Sequence, residues 1–351
     1  MSKTTSPKTF VPGYHKSGVS SKMEYRRLGN TDMYVSYLGL GASAFGSVFR
    51  PTDDTESCEV VDKLLQSGIN YIDTAPWYGH GKSERVLGEA LKNIPREAYY
   101  IATKVGRYDP QPDKMFDFTY ERTVKSIDES LERLGLPSVD LLQVHDVEFS
   151  PSIDLILNET LPALQKAKDE GKTRYIGVTG YPLSVLQEII EKSKVKIDTV
   201  LTYCRYSMND TTLLQYKEFF QQKGVGIINA SPISMGLLAS RGPPEWHPAR
   251  KHRPEVVEAC ENAARYCESV GVDLSRLALH FSLSEDDCST CLVSTASLKN
   301  AQRNLEVIEN PLSKEESQVL EHVMAKYMKP LDNANWEGLE VATLKRGEFV
   351  G

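Results

Sequence analysis

Four residues with acid–base side chains follow short apolar segments in the first half of the sequence. Asp73 ends the segment NYID, Tyr78 follows it closely, Lys104 ends YYIATK, and His145 follows VDLLQV. A tyrosine with an ordinary pKa of about 10 exchanges protons poorly near neutral pH. A neighbouring ammonium group favours the phenolate and lowers that pKa, so Lys104 can tune Tyr78 if the two meet. Asp73 can hold Lys104 charged and oriented, and His145 can fix a substrate oxygen or relay the proton.

This set predicts proton transfer to or from an oxygen atom. It contains no strong nucleophile, and no metal-ligand pattern accompanies it. A proton donor without a nucleophile suits carbonyl reduction or its reverse, in which an external hydride makes the attack. A second interpretation is a Schiff-base aldolase, because a lysine at a strand end can attack a carbonyl group. Asp73 argues against it, since a paired lysine stays protonated.

The elements that must position these residues alternate regularly from Met23 onward. Apolar segments such as RYIGVTG and VGIINASP are separated by segments with helical spacing, such as ERTVKSIDESLERLG. We predict a single-domain (β/α)8 barrel, in which functional side chains stand at the C-terminal ends of the strands. A doubly wound parallel sheet has the same local pattern and is the alternative. The ending of several helices in glycine, as at Gly135, predicts left-handed C-caps.

Composition limits the possible partners. The 351 residues are 40% hydrophobic and carry a formal net charge of -7, which argues against nucleic acid. No apolar segment approaches the length of a membrane span. The six cysteines have no secreted-scaffold spacing and predict reduced thiols in the cytoplasm. Cys288 and Cys291 lack a second ligand pair, so we expect buried thiols and no zinc.

The two ends of the chain are predicted to differ from the barrel. Residues 1–22 lack acidic side chains, an apolar core and arginine, which favours a flexible tail over a targeting peptide. Residues 23–312 form the predicted barrel. Residues 313–351 are predicted to form a C-terminal helix and tail that pack on it.

Several motifs in order along the chain resemble the aldo-keto reductase superfamily. They are FGSVF, YIDTAPWYGHGKSERVLGEAL, ATKVG, LLQVHD, GKTRYIGVTG and SPISMGLL. Within the superfamily, HDVEF, IGVTGYPL and SMGLLASRGPPEWHPA resemble the branch of L-galactose dehydrogenase and D-threo-aldose 1-dehydrogenase. The resemblance covers roughly residues 23–310 and implies that Asp73, Tyr78, Lys104 and His145 are the catalytic tetrad.

The resemblance also implies an NAD or NADP cofactor extended across the barrel mouth. The matching cofactor-binding positions are Thr179, Gly180, Tyr203, Ser231, Pro232, Met235, Gly236, Leu238, Ser294, Ala296, Asn300, Arg303 and Asn304. The stacking tyrosine of the reductases is replaced by Ala230. Ser294 and Asn300 stand where basic residues usually bind a 2′-phosphate, which favours NAD, whereas Arg303 nearby keeps NADP open.

The predicted activity is an aldose 1-dehydrogenase that converts a sugar to its lactone. The alternatives are an NADPH-dependent reductase of small aldehydes and ketones and, from another class, a non-catalytic channel-type subunit that holds a nicotinamide. Trp77, Trp246 and His247 are the predicted substrate pocket, because they belong to loops expected at the barrel mouth. The alternative is that they only cover these loops. The resemblance implies a monomer acting on a small carbonyl or sugar substrate.

Overall fold

Eight parallel strands close into a ring. A computed structural model describes residues 2–4, 7–16 and 23–347. Each of the strands β4 to β11 pairs with the next, and β11 pairs back with β4. The (β/α)8 prediction is confirmed, and the open doubly wound sheet is excluded. The strands are β1 (Lys3–Thr4), β2 (Tyr25–Arg27), β3 (Tyr34–Ser36), β4 (Leu38–Gly41), β5 (Tyr71–Asp73), β6 (Tyr100–Val105), β7 (Val139–Val144), β8 (Thr173–Thr179), β9 (Thr199–Tyr203), β10 (Gly226–Ala230) and β11 (Thr290–Ser294).

Helices follow the barrel strands and pack around them. They are α1 (Asp54–Gln66), α2 (Lys82–Leu91), α3 (Tyr120–Leu134), α4 (Ile153–Leu155), α5 (Leu161–Asp169), α6 (Leu183–Lys192), α7 (Lys217–Gln222), α8 (Pro248–His252), α9 (Pro254–Ser269), α10 (Leu274–Leu283), α11 (Leu298–Glu309), α12 (Lys314–Val323) and α13 (Leu339–Lys345). A π-helical segment, Ile156–Thr160, joins α4 to α5, and another, Met324–Met328, follows α12. None of these helices, in the part of the chain described, is long and apolar enough to cross a membrane.

Helix α3 illustrates why the local sequence forms these elements. The Thr119 hydroxyl accepts a hydrogen bond from the Arg122 backbone N–H and caps the first turn. Ile127, among other residues, lies on the buried face, which packs onto the barrel. The helix ends at Gly135, whose φ of 64° is left-handed as predicted.

Alternation along the strands explains how polar residues reach the barrel mouth. Tyr71, Ala102 and Leu141 lie in the apolar cluster that fills the barrel interior. Successive side chains of a strand point to opposite faces, so residues two positions further on also face inward. Asp73 and Lys104 stand in those positions. The C-terminal mouth is therefore lined by residues that share a face with the core.

The N-terminal segment differs from the predicted flexible tail. Strand β1 pairs with β2 of the hairpin β2–β3. Thr9 is 3% exposed, and its hydroxyl accepts a 2.8 Å hydrogen bond from the Asn70 side chain. The hairpin offers a free edge that the first residues complete, which composition alone did not indicate. Residues 1, 5–6 and 17–22 lie outside the described residues.

The C-terminal segment runs back over the barrel mouth. Helix α12 begins at a capping box between Ser313 and Glu316, so the predicted boundary at residue 312 falls between α11 and α12. Trp336 is 1% exposed and stacks on Tyr181 with ring centroids 5.1 Å apart. Helix α13 packs against α8. Residues 348–351 lie outside the described residues.

Candidate active site

The four acid–base residues predicted from the sequence meet at the C-terminal end of the barrel. The Lys104 ammonium donates hydrogen bonds to Asp73 Oδ1 and, at 2.8 Å, to the carbonyl oxygen of Thr74. The hydroxyl oxygen of Tyr78 lies 3.3 Å from the same nitrogen. The rings of Tyr78 and His145 meet edge to face with centroids 5.9 Å apart. Lys104 is thus the centre of the group.

Gln143 is a fifth polar side chain of this group, and the sequence prediction missed it. Its amide nitrogen donates to Asp73 Oδ2 at 2.7 Å, so both oxygens of that carboxylate are held. A Cβ on Gly177 would stand 3.2 Å from Gln143 Cγ and 2.2 Å from Thr199 Oγ1, so only glycine leaves room there. The signal that could have found Gln143 is strand alternation, because it precedes His145 by two positions.

The charge of Lys104 follows from two opposing influences. Burial lowers its pKa, but the Asp73 carboxylate and Tyr78 raise it, and the net shift is upward. Lys104 therefore remains an ammonium at neutral pH. This disfavours the Schiff-base interpretation, in which the lysine must be an uncharged nucleophile.

Tyr78 departs from the sequence-based expectation. Burial raises its pKa, Lys104 opposes that effect, and Asp73 and Asp146 add to the rise. The net pKa is above the ordinary value, so the predicted lowering is wrong for this structure, although Lys104 acts in the predicted direction. The reason is desolvation, which disfavours the phenolate more than one ammonium favours it. Tyr78 is therefore a protonated phenol at neutral pH.

His145 is an uncharged imidazole in this environment. Burial lowers its pKa well below the ordinary value, and the positive charges of Lys104 and Arg107 lower it further. Its Nε2 lies 3.6 Å from Asp146 Oδ2, and its Nδ1 is buried without a hydrogen-bond partner among the described residues. A neutral imidazole can donate one N–H to a substrate oxygen.

A second charged group, also missed by the sequence prediction, adjoins the tetrad. The guanidinium of Arg107 donates to Asp146 Oδ2 at 2.8 Å, and its centre lies 4.0 Å from the Trp77 ring. Asp146 is 4% exposed and has a left-handed φ of 50°. The backbone N–H of Asp146 donates a 3.0 Å hydrogen bond to the Thr179 hydroxyl. Arg107 and Asp146 both lie in loops, so the argument from strand ends did not predict them.

Two further carboxyl groups lie near Asp146. Glu148 Oε1 accepts a 2.9 Å hydrogen bond from the Tyr181 N–H, and burial, followed by Asp146, raises its pKa well above the ordinary value. Glu340 reaches the same region from α13. Burial raises its pKa to about 7, Asp146 adds to the rise, and Arg107 and the Tyr203 hydroxyl oppose it.

The raised pKa of Glu340 predicts a pH-dependent stability. The folded chain holds this proton up to a pKa of about 7, whereas the unfolded chain releases it near 4.5. The folded state binds more protons between these values, so Glu340 stabilises the fold at low pH and loses that contribution as pH rises from 4.5 to 7. We expect Glu340→Gln to flatten this part of the pH profile of unfolding free energy, measured by urea titration. Glu337→Gln on the same segment is the matched control, and identical slopes for Glu340→Gln and wild type would contradict the expectation.

The residues predicted to contact a nicotinamide, Thr179, Gly180 and Tyr203, line two neighbouring strand ends, and Ala230, in the place of the stacking tyrosine, ends the next strand. Thr179 ends β8 and is followed by Gly180, Tyr203 ends β9, and Ala230 ends β10. The ring centroids of Tyr203 and Tyr181 lie 5.2 Å apart. These positions adjoin the tetrad along the barrel rim, as their order along the sheet requires.

The loop after β10 has a backbone suited to an anion. Ser231, Ser234, Met235 and Gly236 all have positive φ values. Successive backbone N–H groups in turn conformations of this kind can point to one side and form an anion-binding concavity. The predicted pyrophosphate loop, with Pro232 and Leu238, therefore fits a dinucleotide, although its cofactor contacts stay a prediction.

The predicted adenosine end lies around the start of α11. Ser294 ends β11, and its hydroxyl accepts a 2.8 Å hydrogen bond from the Ala44 N–H. The Leu298 N–H at the start of α11 donates to Glu56 Oε1 at 3.0 Å. Glu56 was missed because it is 242 residues away in the sequence. The other predicted positions are Ala296, in the loop before α11, and Asn300, Arg303 and Asn304, on α11 itself.

The three predicted pocket residues have different surroundings. Trp77 is 8% exposed and lies under Arg107 beside Tyr78. Trp246 is 36% exposed and stacks on Phe49 with ring centroids 6.1 Å apart. His247 is 1% exposed, its Nδ1 accepts from the Ala249 N–H at 3.1 Å, and burial lowers its pKa to about 4. His247 supports its loop beneath Trp336, so among these three residues Trp77 alone adjoins the tetrad.

A closed parallel barrel with an acid–base group at its C-terminal mouth defines a class of barrel oxidoreductases. The model of the Aldo/keto reductase family matches residues 37–325. L-galactose dehydrogenase of Arabidopsis thaliana is 44% identical over 90% of this chain and 98% of that protein. D-arabinose 1-dehydrogenase of Saccharomyces cerevisiae is 32% identical over 86% of this chain and 93% of that protein. The holo form of aldo-keto reductase AKR11C1 from Bacillus halodurans superposes with a TM-score of 0.69 at 29% identity, covering 86% of this chain and 96% of that one.

The chain therefore belongs to the aldo/keto reductase family, as the sequence motifs predicted. It is an oxidoreductase that uses a nicotinamide cofactor.

Proposed function

We propose that this enzyme oxidises C1 of a cyclic aldose to a lactone with NAD. The observation that carries the proposal is the buried Lys104 ammonium, held by Asp73 and 3.3 Å from the Tyr78 hydroxyl. The names of the relatives described above, L-galactose dehydrogenase and D-arabinose 1-dehydrogenase, support an aldose as substrate.

The side chains divide the work of this reaction. A bound nicotinamide supplies the hydride acceptor. In the oxidation Tyr78 acts in its phenolate form, which Lys104 stabilises, and accepts the proton of the C1 hydroxyl as the hydride leaves C1. His145 donates an N–H to the substrate oxygen and holds it against Tyr78. Asp73 and Gln143 keep Lys104 in place.

The choice of NAD over NADP rests on charge at the start of α11. Glu56 places a carboxylate on the first N–H of that helix. A carboxylate near the adenosine ribose accepts hydrogen bonds from the 2′-hydroxyl and repels a 2′-phosphate. Ser294 and Asn300 bring no compensating positive charge. Arg303 is exposed on α11, so its side chain would have to move to pair with a 2′-phosphate.

Carbonyl reduction is the second candidate because of one observation. The raised pKa of Tyr78 makes it a phenol at neutral pH, and a phenol is ready to donate its proton to a carbonyl oxygen. The same residues would then catalyse the reverse reaction, the reduction of a carbonyl group to an alcohol. The two candidates differ in the direction in which the enzyme catalyses the reaction in the cell, oxidation of an aldose or reduction of a carbonyl compound.

The test is a cofactor-reduction assay with L-galactose and D-arabinose, using NAD⁺ and NADP⁺ in parallel. We expect lactone formation with a kcat/KM for NAD⁺ at least about tenfold above that for NADP⁺, corresponding to about 1.4 kcal/mol. Glu56→Gln should bring the kcat/KM values for NAD⁺ and NADP⁺ closer together and leave kcat with NAD⁺ unchanged. If no aldose is oxidised while small aldehydes are reduced, the reductase candidate replaces this one.

We further propose a monomer in the cytoplasm. All six cysteines are free thiols in the structure, which suits a reducing compartment.

A further inference from the structure

The sequence predicts His247 as a pocket residue, but the proton-transfer chemistry does not use it. His247 immediately precedes helix α8 and is 1% exposed. Its ring lies edge to face against Trp336, with centroids 4.9 Å apart. A buried imidazole is costly unless its nitrogens are hydrogen-bonded, so the partners of His247 indicate its purpose.

Both ring nitrogens of His247 have backbone partners, and these define its tautomer. Nδ1 accepts a 3.1 Å hydrogen bond from the Ala249 N–H. Because Nδ1 is the acceptor of the neutral ring, Nε2 carries the proton, and Nε2 lies 3.2 Å from the carbonyl oxygen of Ser234. Burial lowers the pKa of His247 to about 4, so the ring keeps this form at neutral pH. His247 therefore donates to the Ser234 carbonyl oxygen.

Ser234 lies in the predicted pyrophosphate loop after β10, in a backbone conformation that needs support. Its φ is 47°, and the φ of its neighbour Met235 is 50°. Residues other than glycine keep left-handed conformations only where the surrounding structure holds them. Without such contacts the loop would relax and lose the concavity that fits an anion.

A second set of contacts holds the side chain of Ser234. Its hydroxyl is fully buried, donates to Asn209 Oδ1 at 2.6 Å and lies 2.9 Å from the hydroxyl oxygen of Ser207. Ser207 and Asn209 follow strand β9. Ser234 is thus fixed through its hydroxyl by the segment after β9 and through its carbonyl oxygen by His247.

The returning part of the loop is held by α8, the helix that His247 caps. The guanidinium of Arg250 donates to the Pro243 carbonyl oxygen at 2.6 Å. A Cβ on Gly236 would stand 3.2 Å from the Gly242 carbonyl oxygen, so the outgoing and returning parts of the loop are in close contact. His247 therefore connects α8 to the left-handed turn of the loop.

We propose that His247 is a positioning residue for the dinucleotide, because its Nε2–H holds the Ser234 carbonyl oxygen and keeps the loop in the conformation that binds the pyrophosphate. Its role is support of the loop and not contact with the substrate. A loop that must first find its binding conformation binds more weakly, in proportion to the fraction of molecules that have it. The inference rests on the use of a dinucleotide in the proposed function and not on which sugar is oxidised.

The test uses two amide side chains that each reproduce one half of the imidazole. The amide nitrogen of glutamine can reach the position of Nε2 and donate from it, whereas the amide of asparagine reaches only the position of Nδ1. We expect His247→Asn to raise the Kd of NADH about 5- to 10-fold, because a buried carbonyl oxygen loses its donor. His247→Gln should stay within about twofold of wild type, since it keeps that donor. Isothermal titration calorimetry measures both values.

ADP-ribose separates this role from a contact with the nicotinamide or the sugar. It keeps the pyrophosphate and lacks the nicotinamide, so its Kd should rise in His247→Asn by the same factor as that of NADH. The kcat with saturating NAD⁺ and L-galactose should stay within about threefold of wild type, since the tetrad is unchanged.

Two further variants complete the experiment. Ser234→Ala removes the hydroxyl bound to Asn209 Oδ1 and should weaken NADH and ADP-ribose alike, so it carries the same test if His247→Asn does not fold. His252→Asn, the same substitution at the other end of α8, is the matched control and should leave both Kd values at the wild-type level.

Each contrary result has a separate meaning. If wild type binds neither NADH nor NADPH, the use of a dinucleotide is overturned and the positioning role with it. If wild type binds NADH but oxidises no aldose, the proposed function fails, and the binding measurements still decide the role of His247. The positioning role alone is overturned if His247→Asn binds NADH as tightly as wild type, if NADH is weakened while ADP-ribose is not, or if His247→Gln is as weak as His247→Asn.

Discussion

Tyr78→Phe is expected to lower kcat by about 10³-fold, with little change in cofactor binding. The substitution removes only the hydroxyl oxygen that lies 3.3 Å from Lys104. Positioned acid–base groups contribute roughly 10²- to 10⁴-fold, and no other phenol adjoins Lys104 in the described structure to replace this one. Steady-state oxidation of L-galactose measures the loss, and NADH quenching of tryptophan fluorescence measures binding.

Tyr71→Phe provides the matched control. Tyr71 is fully buried below Asp73, and its hydroxyl has no hydrogen-bond partner among the described residues. Removing that oxygen should leave kcat within about twofold of wild type, because it breaks no contact. Retention of most turnover by Tyr78→Phe would remove Tyr78 from the proton-transfer step.

Lys104→Met is expected to abolish turnover and to destabilise the fold by about 3 kcal/mol. The Asp73 side chain is 3% exposed, and loss of the ammonium leaves a buried carboxylate with Gln143 as its remaining side-chain donor. Removing one partner of a buried pair typically costs 3 to about 5 kcal/mol. Urea unfolding at neutral pH measures the change, and the surface variant Lys192→Met should unfold at the same urea concentration as wild type, because an exposed ion pair contributes little.

The double variant Asp73→Leu with Lys104→Met separates stability from chemistry. With both charges replaced by apolar groups of similar volume, we expect partial recovery, to within about 2 kcal/mol of wild type, because no charge stays buried and unpaired while the Gln143 amide loses its acceptor. Turnover should stay lost, since Tyr78 has no ammonium beside it. A double variant as unstable as Lys104→Met would mean that packing, rather than charge, accounts for the loss.

The tetrad could be predicted from the sequence because strand periodicity is local. Asp73 and Lys104 follow apolar strands, and a closed barrel brings such ends to one rim. Gln143 was equally accessible to this reasoning, since it faces inward with His145. The direction of the Tyr78 pKa shift could not be predicted, because it depends on desolvation by the whole surrounding structure.

The remaining site residues could not be predicted because their contacts are made by loops or between distant segments. Arg107 and Asp146 meet only once the loops after β6 and β7 are placed side by side. Glu56 reaches the start of α11 from the other end of the barrel sequence. The order of residues contains no periodic signal for such contacts.

Glu340 comes from α13, the last helix among the described residues, whereas the final barrel strand ends at Ser294. The ring of strands can therefore close during translation before this carboxylate has left the ribosome. Asp73, Tyr78, Lys104 and His145 can then come together at the barrel mouth before the C-terminal segment brings Glu340 to the same region.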